Sequence, residues 1–220
     1  MGPSPRRITR LTLDNLADLP APCDTCAFWE LDPVARERAE ADGGAACAKE
    51  AWVSRVLLEW GSCGRVAYVD GEPAGYAIYA PPSFVPGAGA FPTAPVSDDA
   101  VLLTAVRVRE EHAGGGLGRD LVRAVVKDVV NRGGIRAIEA FGTRRVVGER
   151  CVVPADFLLR VGFKTQRAHP RNPRMRMDMR SVLTWREEVE QALEKILDAV
   201  RPRPVTPAAE RVIRDPDVGA

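Results

Sequence analysis

The stretch Val108-Arg109-Glu110-Glu111-His112-Ala113-Gly114-Gly115-Gly116-Leu117-Gly118-Arg119-Asp120-Leu121 concentrates the clearest chemistry in the sequence. An apolar strand ends at Val108, a tight glycine loop turns, and a helix begins near Leu117. Several backbone N–H groups and the positive end of a helix dipole then point into one small space, which is how a chain binds phosphate. Glycines serve there because a Cβ would hold phosphate oxygens away from the amides, and because some positions require positive φ. Two familiar glycine loops do not fit. A nucleoside-triphosphate loop ends Gly-Lys-Ser/Thr, whereas this one ends Gly118-Arg119-Asp120. A dinucleotide fingerprint needs a parallel βαβ unit, with an acidic residue about 20 positions on. Glu139 stands near that distance, but a hairpin and a Pro/Gly-rich segment precede the loop, which suits a mixed sheet.

Other residues could also do chemistry. Glu139 is the one charge inside the apolar run Ile135 to Phe141, and burying an unpaired carboxylate is costly or raises its pKa. A partner Arg or solvent exposure would make it structural instead. Five cysteines, at 23, 26, 47, 63 and 151, form an odd set that reads as reduced thiols. Cys23-x-x-Cys26 with Cys47 and Cys63 lacks the second tight pair of a zinc ribbon, so no metal is expected. His112 and His169 read as loop residues. Residues 160–180 carry seven cations against Asp178, which reads first as a solvated face balanced by Glu187, Glu188, Glu190, Glu194 and Asp198. Such a face could also attract an acidic substrate, a cofactor phosphate or nucleic acid, and without interleaved aromatics nucleic acid is the least favoured of the three.

The elements that must position these groups follow from periodicity and punctuation. Ile8 to Leu13 alternates as a first strand, and Asp14 to Pro20 has short-helix and turn chemistry. Pro33 to Trp60 reads as two helices broken at Asp42-Gly43-Gly44, the second burying Trp52, Val53, Val56, Leu57 and Trp60. Arg65–Val69 and Ala74–Tyr79 form a hairpin about Asp70-Gly71-Glu72-Pro73. Residues 81–97 have no period and read as a flap, and Ala27 to Leu31 as a lid near a substrate entrance. A strand over Ala100–Val108 leads through the glycine loop into a helix over about 117–131, with Leu117, Leu121, Val125 and Val129 inward. A strand at 135–141, a short helix at 154–161 ended by Gly162-Phe163, and a strand pair at 163–168 and 174–180 complete the domain. Residues 1–180 are expected to form that domain, 181–200 an amphipathic helix packed on it, and 201–220 a disordered tail.

The loop and this order of elements together resemble the GNAT, or acyl-CoA N-acyltransferase, superfamily over roughly residues 6–180. The family pattern Val-x-Pro-x-Tyr-Arg-Gly-x-Gly-Ile/Leu-Gly is met in register by Val108, Gly114, Gly116, Leu117 and Gly118, with Leu121 in the helix. The resemblance implies an α/β (α+β) fold whose mixed, mostly antiparallel sheet has a splayed central strand. It implies acetyl-CoA as acyl donor and direct attack by a primary amine, of a small molecule or a protein, in a ternary complex; the alternative is a catalytically weak acyl-CoA-binding module. Cofactor contacts carry over to Val106, Val108, Ala113, Gly114, Gly115, Gly116, Leu117, Gly118 and Arg119. Val106 and Val108 would pair with the pantetheine arm, and the N–H of Val108 or a neighbour would polarise the carbonyl.

Three departures matter. Ala113 stands where Arg or Gln is usual. Arg119 either supplies charge to the pyrophosphate or is a solvated helix residue. Leu158 stands where many members place the tyrosine that protonates the thiolate. Glu139, Glu110 and Glu111 are the carboxylates nearest the expected thioester, Glu139 being the candidate base. Cys151 aligns with a frequent Asn at the entry to the short helix. Near arginines 144, 145 and 150, its thiol is expected to have a lowered pKa and to act as acid or acyl acceptor, unless it is merely a small buried residue.

Composition agrees with an enzyme of the cytoplasm. A net charge of +1 and 45% hydrophobic residues exclude a disordered tail or a basic nucleic-acid coat, and no run of 18 apolar residues occurs to span a membrane. Of 31 basic residues 27 are Arg, a coding bias that makes arginine abundance uninformative about phosphate. The acceptor amine and the oligomeric state, a homodimer included, stay open.

Overall fold

A computed structural model describes residues 5–144 and 151–180. Contacts divide the chain into Met1–Val182 and Leu183–Ala220, and every described residue belongs to the first unit. The expected helix over 181–200 and tail over 201–220 lie outside the described residues, as do Arg145 and Arg150.

The described chain runs β1 (Arg6–Arg10), a 3-10 turn (Leu13–Asp18), α1 (Pro33–Ala41), α2 (Ala45–Trp60), β2 (Gly64–Val69), β3 (Glu72–Ala80), β4 (Ala100–Val108), α3 (Leu117–Arg132), β5 (Ala137–Thr143), β6 (Val153–Pro154), α4 (Ala155–Arg160), β7 (Lys164–Arg167) and β8 (Arg174–Asp178). The sheet order is β1-β2-β3-β4-β5-β8-β7, with β6 beside β5. All pairings are antiparallel except β4–β5 and β5–β6. The two helices expected between Pro33 and Trp60 part at the glycines. Asp32 caps the first, its carboxylate accepting from the N–H of Val34 (3.0 Å) and Ala35 (3.1 Å) ahead of Pro33. The hairpin turn is tighter than expected: only Asp70 and Gly71 leave the ladder, and Glu72 and Pro73 join β3.

One feature of this sheet matters most for function. β4 and β5 pair only from Ala100–Ala137 to Leu102–Glu139. Beyond that point β4 stays with β3 as far as Val108, while β5 continues with β8 and then β6. The two central strands therefore diverge, and the outer half of β4 has an edge that β5 does not cover.

Each face of the sheet carries its own core. On one face α3 inserts Leu117, Leu121, Val125 and Val129, all buried, against Ala77, Tyr79, Val101 and Leu103. At about 1.5–3 kcal/mol for each fully buried aliphatic side chain, this stripe fixes α3 and the loop that feeds it. On the other face Trp52, Val53 and Val56 of α2 pack with the loops against Tyr76, Ile78, Leu102 and Ala105. Leu57 and Trp60 are only partly buried there.

Residues 81–97 and 27–31 depart from the expected flap and lid. Val85, Gly87, Ala88, Phe91, Thr93 and Val96 are buried, as are Ala27, Trp29 and Glu30. The reason is aromatic. Phe91, Trp29 and Phe141 of β5 form a cluster of near-parallel rings, with centroids 4.9 Å (Phe91–Trp29), 4.4 Å (Phe91–Phe141) and 6.2 Å (Trp29–Phe141) apart, and these contacts add to the area buried. Gly87 lets the two loops touch, since a Cβ there would lie 2.4 Å from the carbonyl oxygen of Phe28. Both segments are thus core layers over the sheet.

Candidate active site

The uncovered edge of β4 meets the start of α3 at a cleft of about 630 Å³. Val106, Val108, His112, Ala113, Gly114, Gly116, Leu117, Gly118 and Arg119 line one side, and Pro154, Phe157, Arg160 and Val161 the other. Local geometry explains the glycines. Gly114 (φ +78°) and Gly116 (φ +83°, the N-cap of α3) are left-handed, a conformation L side chains rarely adopt, and a Cβ at either would project into open space. Gly118 has a packing reason instead, its Cβ position being 3.1 Å from the Phe157 ring and 3.6 Å from Val108. The first-turn amides of α3 have no earlier turn to bond, and no side chain caps them. Positive charge comes from Arg119 and Arg160, both exposed at the rim.

β4 supplies the backbone. The Arg109 N–H donates to the Ala74 carbonyl at 2.9 Å, and Arg107 lies opposite Tyr76. Alternation in an antiparallel ladder then turns the N–H and C=O groups of Val106 and Val108 away from β3, toward the splay. An extended ligand entering the cleft could add to that edge as a strand.

The sequence profile of the Acetyltransferase (GNAT) family matches residues 22–146, more than half of the chain. The chain belongs to the GNAT acetyltransferase family. No curated protein sequence matches it. Among solved structures it is similar to a PaiA N-acetyltransferase from Thermoplasma acidophilum in complex with coenzyme A, with 13% identity over 79% of this chain and 99% of that one, and a TM-score of 0.51. It is also similar to aminoglycoside acetyltransferase AAC(6')-Ib in complex with coenzyme A (20% identity, 83% and 99% coverage, TM-score 0.51). An N-acetyltransferase from Staphylococcus aureus Mu50 gives 13% identity, 80% and 99% coverage and a TM-score of 0.52. At these identities the likeness establishes the fold: a mixed, mostly antiparallel sheet with a splayed centre.

Within this GNAT domain the residues singled out in the sequence separate into two groups. Of the nine cofactor candidates, all but Gly115 line the cleft; Gly115 faces β1, its carbonyl accepting from Arg6 at 2.8 Å. The catalytic candidates Glu139 and Cys151 do not line it. Glu139 is fully buried in an ion-pair network, with Arg176 at 3.1 Å, Arg174 at 3.4 Å and the Ser97 hydroxyl donating at 2.6 Å. Arg176 also bridges to Asp99 at 2.9 Å and holds that carboxyl below its usual range. A carboxylate held by two guanidiniums, away from the cleft lining, is poorly placed for the base role expected of Glu139. Glu110 and Glu111 are exposed beyond the strand, and Glu111 lies near Arg109 and His112.

Cys151 lies on the opposite face of β4, in a small cavity with Cys23, Cys26, Trp29, Glu30, Lys49, Tyr76, Ile78 and Ala105. Its Sγ is 3.7 Å from that of Cys26, and the Trp29 indole N–H donates to its carbonyl at 2.8 Å. The lowered pKa expected of Cys151 is corrected. The neighbouring Cys26 sulfur and then burial push the Cys151 thiol up, whereas Cys26, bonded by Cys151 and by the Phe28 amide, is lowered to about 6. Burial first, then the Cys23 side chain, raises the Tyr76 phenol beside them. Leu158, at the position of the expected tyrosine, is buried in the α3 core. Among the described residues no cluster of three His, Cys, Asp or Glu side chains could hold a metal ion, and no helix is long and apolar enough to cross a membrane.

Sequence reasoning missed Phe157 and His112 as cleft residues, and took Arg160 only as one cation of the 160–180 face. Arg160 and Phe157 lie two and five positions before Gly162, and Phe157 contacts Gly118 only because α4 packs across the start of α3. It also missed Cys26 as the partner of Cys151, since 125 residues separate them.

Proposed function

We propose that the protein transfers an acetyl group from acetyl-CoA to a primary amine by direct attack in a ternary complex. The observation that carries this reading is the convergence of two bare backbone surfaces in one cleft: the glycine-rich start of α3 and the uncovered edge of β4 at Val106 and Val108. The amides of residues 114–118, with Arg119 and Arg160, hold the pyrophosphate. Val106 and Val108 bind the pantetheine amides as a neighbouring strand would, which aims the thioester down the splay. An N–H of that edge then stabilises the oxyanion as the amine attacks. The amine is a small molecule or a protein amino group, and the bound coenzyme A in two fold relatives supports CoA as the carrier.

Two observations favour a second reading, an acyl-CoA-binding module with little turnover. Leu158 can donate no proton to the departing thiolate, and Glu139 is committed to its arginines. One pair of measurements separates the readings. Thermal stabilisation by CoA together with amine-dependent release of free thiol from acetyl-CoA establishes the transferase. Stabilisation without release across an amine panel selects the module. No stabilisation removes both.

A further inference from the structure

We propose that Cys26 and Cys151 form an oxidisable dithiol, which a low-molecular-weight disulfide converts to an intramolecular disulfide joining the 20–31 loop to the start of β6. The two sulfurs stand 3.7 Å apart, each half-buried and so within reach of a small reagent. Closing to the roughly 2.05 Å of an S–S bond needs a shift well under the width of an atom. Both residues are held on built ground. Cys26 sits in a wound turn where its N–H donates to the Pro22 carbonyl at 2.8 Å, and Cys151 is fixed by the Trp29 indole at its carbonyl. Trp29 is itself stacked on Phe91.

The electrostatics divide the roles. Cys26 is the nucleophile because its charge is stabilised by the Cys151 thiol and the Phe28 amide, and Lys49 adds to this while Glu30 opposes it. Cys151 keeps its proton and acts as the resolving thiol. The Cys26 thiolate attacks one sulfur of the reagent RSSR, breaking its S–S bond, forming a Cys26–SR mixed disulfide and releasing RS⁻. Cys151 then loses its proton, attacks the Cys26 sulfur and expels the second RS⁻. Two protein thiols are oxidised and one RSSR is reduced to two RSH once the thiolates are protonated.

Cys23, the nearer partner in sequence, lines the same cavity but is buried and interacts with the Tyr76 phenol. The sulfur contact of Cys26 is with the cysteine 125 residues away. Nothing in this chemistry requires the acyl transfer proposed above.

The full-length protein is treated with oxidised glutathione, the remaining thiols are blocked, and the protein is digested without reductant for mass spectrometry. The expected result is a linked peptide pair containing Cys26 and Cys151, with the intact mass lower by two hydrogens. Cys151→Ser should instead trap glutathione on Cys26, and Cys26→Ser should abolish both products. Cys47→Ser, on an exposed surface, should leave the linkage intact. A Cys23–Cys26 linkage, glutathione trapped on Cys151 in the Cys26 variant, or no oxidation in wild-type protein would overturn the proposal.

Discussion

The cleft and the thiol cavity lie on opposite faces of the same strand, β4, and are made from different materials. The cleft is built from backbone, with glycines, amides and the edge beside Val106 and Val108, and its charged groups are exposed at the rim. The cavity is built from side chains, most of them buried, and it holds a buried Glu30–Lys49 ion pair and thiols whose proton affinities are displaced. A site built from backbone depends on the chain path and on open space above the amides, whereas a buried polar site depends on every partner. A lost partner there leaves a desolvated group unanswered.

The sharpest test of that contrast is Lys49→Met. It strands the Glu30 carboxylate, whose side chain is 1% exposed, and should lower unfolding stability by about 3–5 kcal/mol in denaturant titration. Adding Glu30→Gln should recover much of the loss; no recovery would mean that Lys49 acts through packing alone. Glu139→Gln comes next. Removing the charge facing Arg174 and Arg176 should cost roughly 2–4 kcal/mol of stability, yet leave turnover per folded molecule within about twofold. A drop of about 10²–10⁴ with stability intact would restore Glu139 as the base.

On the cleft side, Ala113→Glu places a carboxylate where the pyrophosphate is proposed to sit. CoA affinity by calorimetry should fall by more than about tenfold, or 1.4 kcal/mol, with the melting temperature nearly unchanged. Equal affinity would remove the pyrophosphate from this loop.

A smaller effect distinguishes the two thiols. Because the Cys26 pKa is lowered to about 6, its alkylation rate should be at plateau by neutral pH and should fall as pH drops through 6 and the thiolate gains its proton. Cys151→Ala removes the principal stabiliser of that thiolate, so the midpoint should move upward toward the ordinary thiol value. A midpoint unmoved by the substitution would assign the shift to the Phe28 amide.

Much of the site could be read in the sequence because it is local. Val108 to Leu121 carries the strand end, the glycine turn and the helix start in one continuous segment, and backbone geometry of that kind is dictated by residue type along the chain. The helical spacing of Leu117, Leu121, Val125 and Val129 likewise announced which side of α3 is buried. Residues 81–97 lacked any period, and their burial rests on Phe91 finding Trp29 and Phe141, partners that lie 62 and 50 positions away. The same holds for charge and thiol chemistry. Glu139 looked like a catalytic carboxylate until Arg174 and Arg176 arrived beside it from β8, and Cys151 was expected to carry the lowered pKa until folding brought Cys26 to its sulfur. Periodicity and glycine placement are properties of the chain, so they specify the elements and the glycine turn ahead of α3 before any distant contact forms. The proton affinity of a buried group depends on which neighbours replace its water, and those neighbours come together only in the fold.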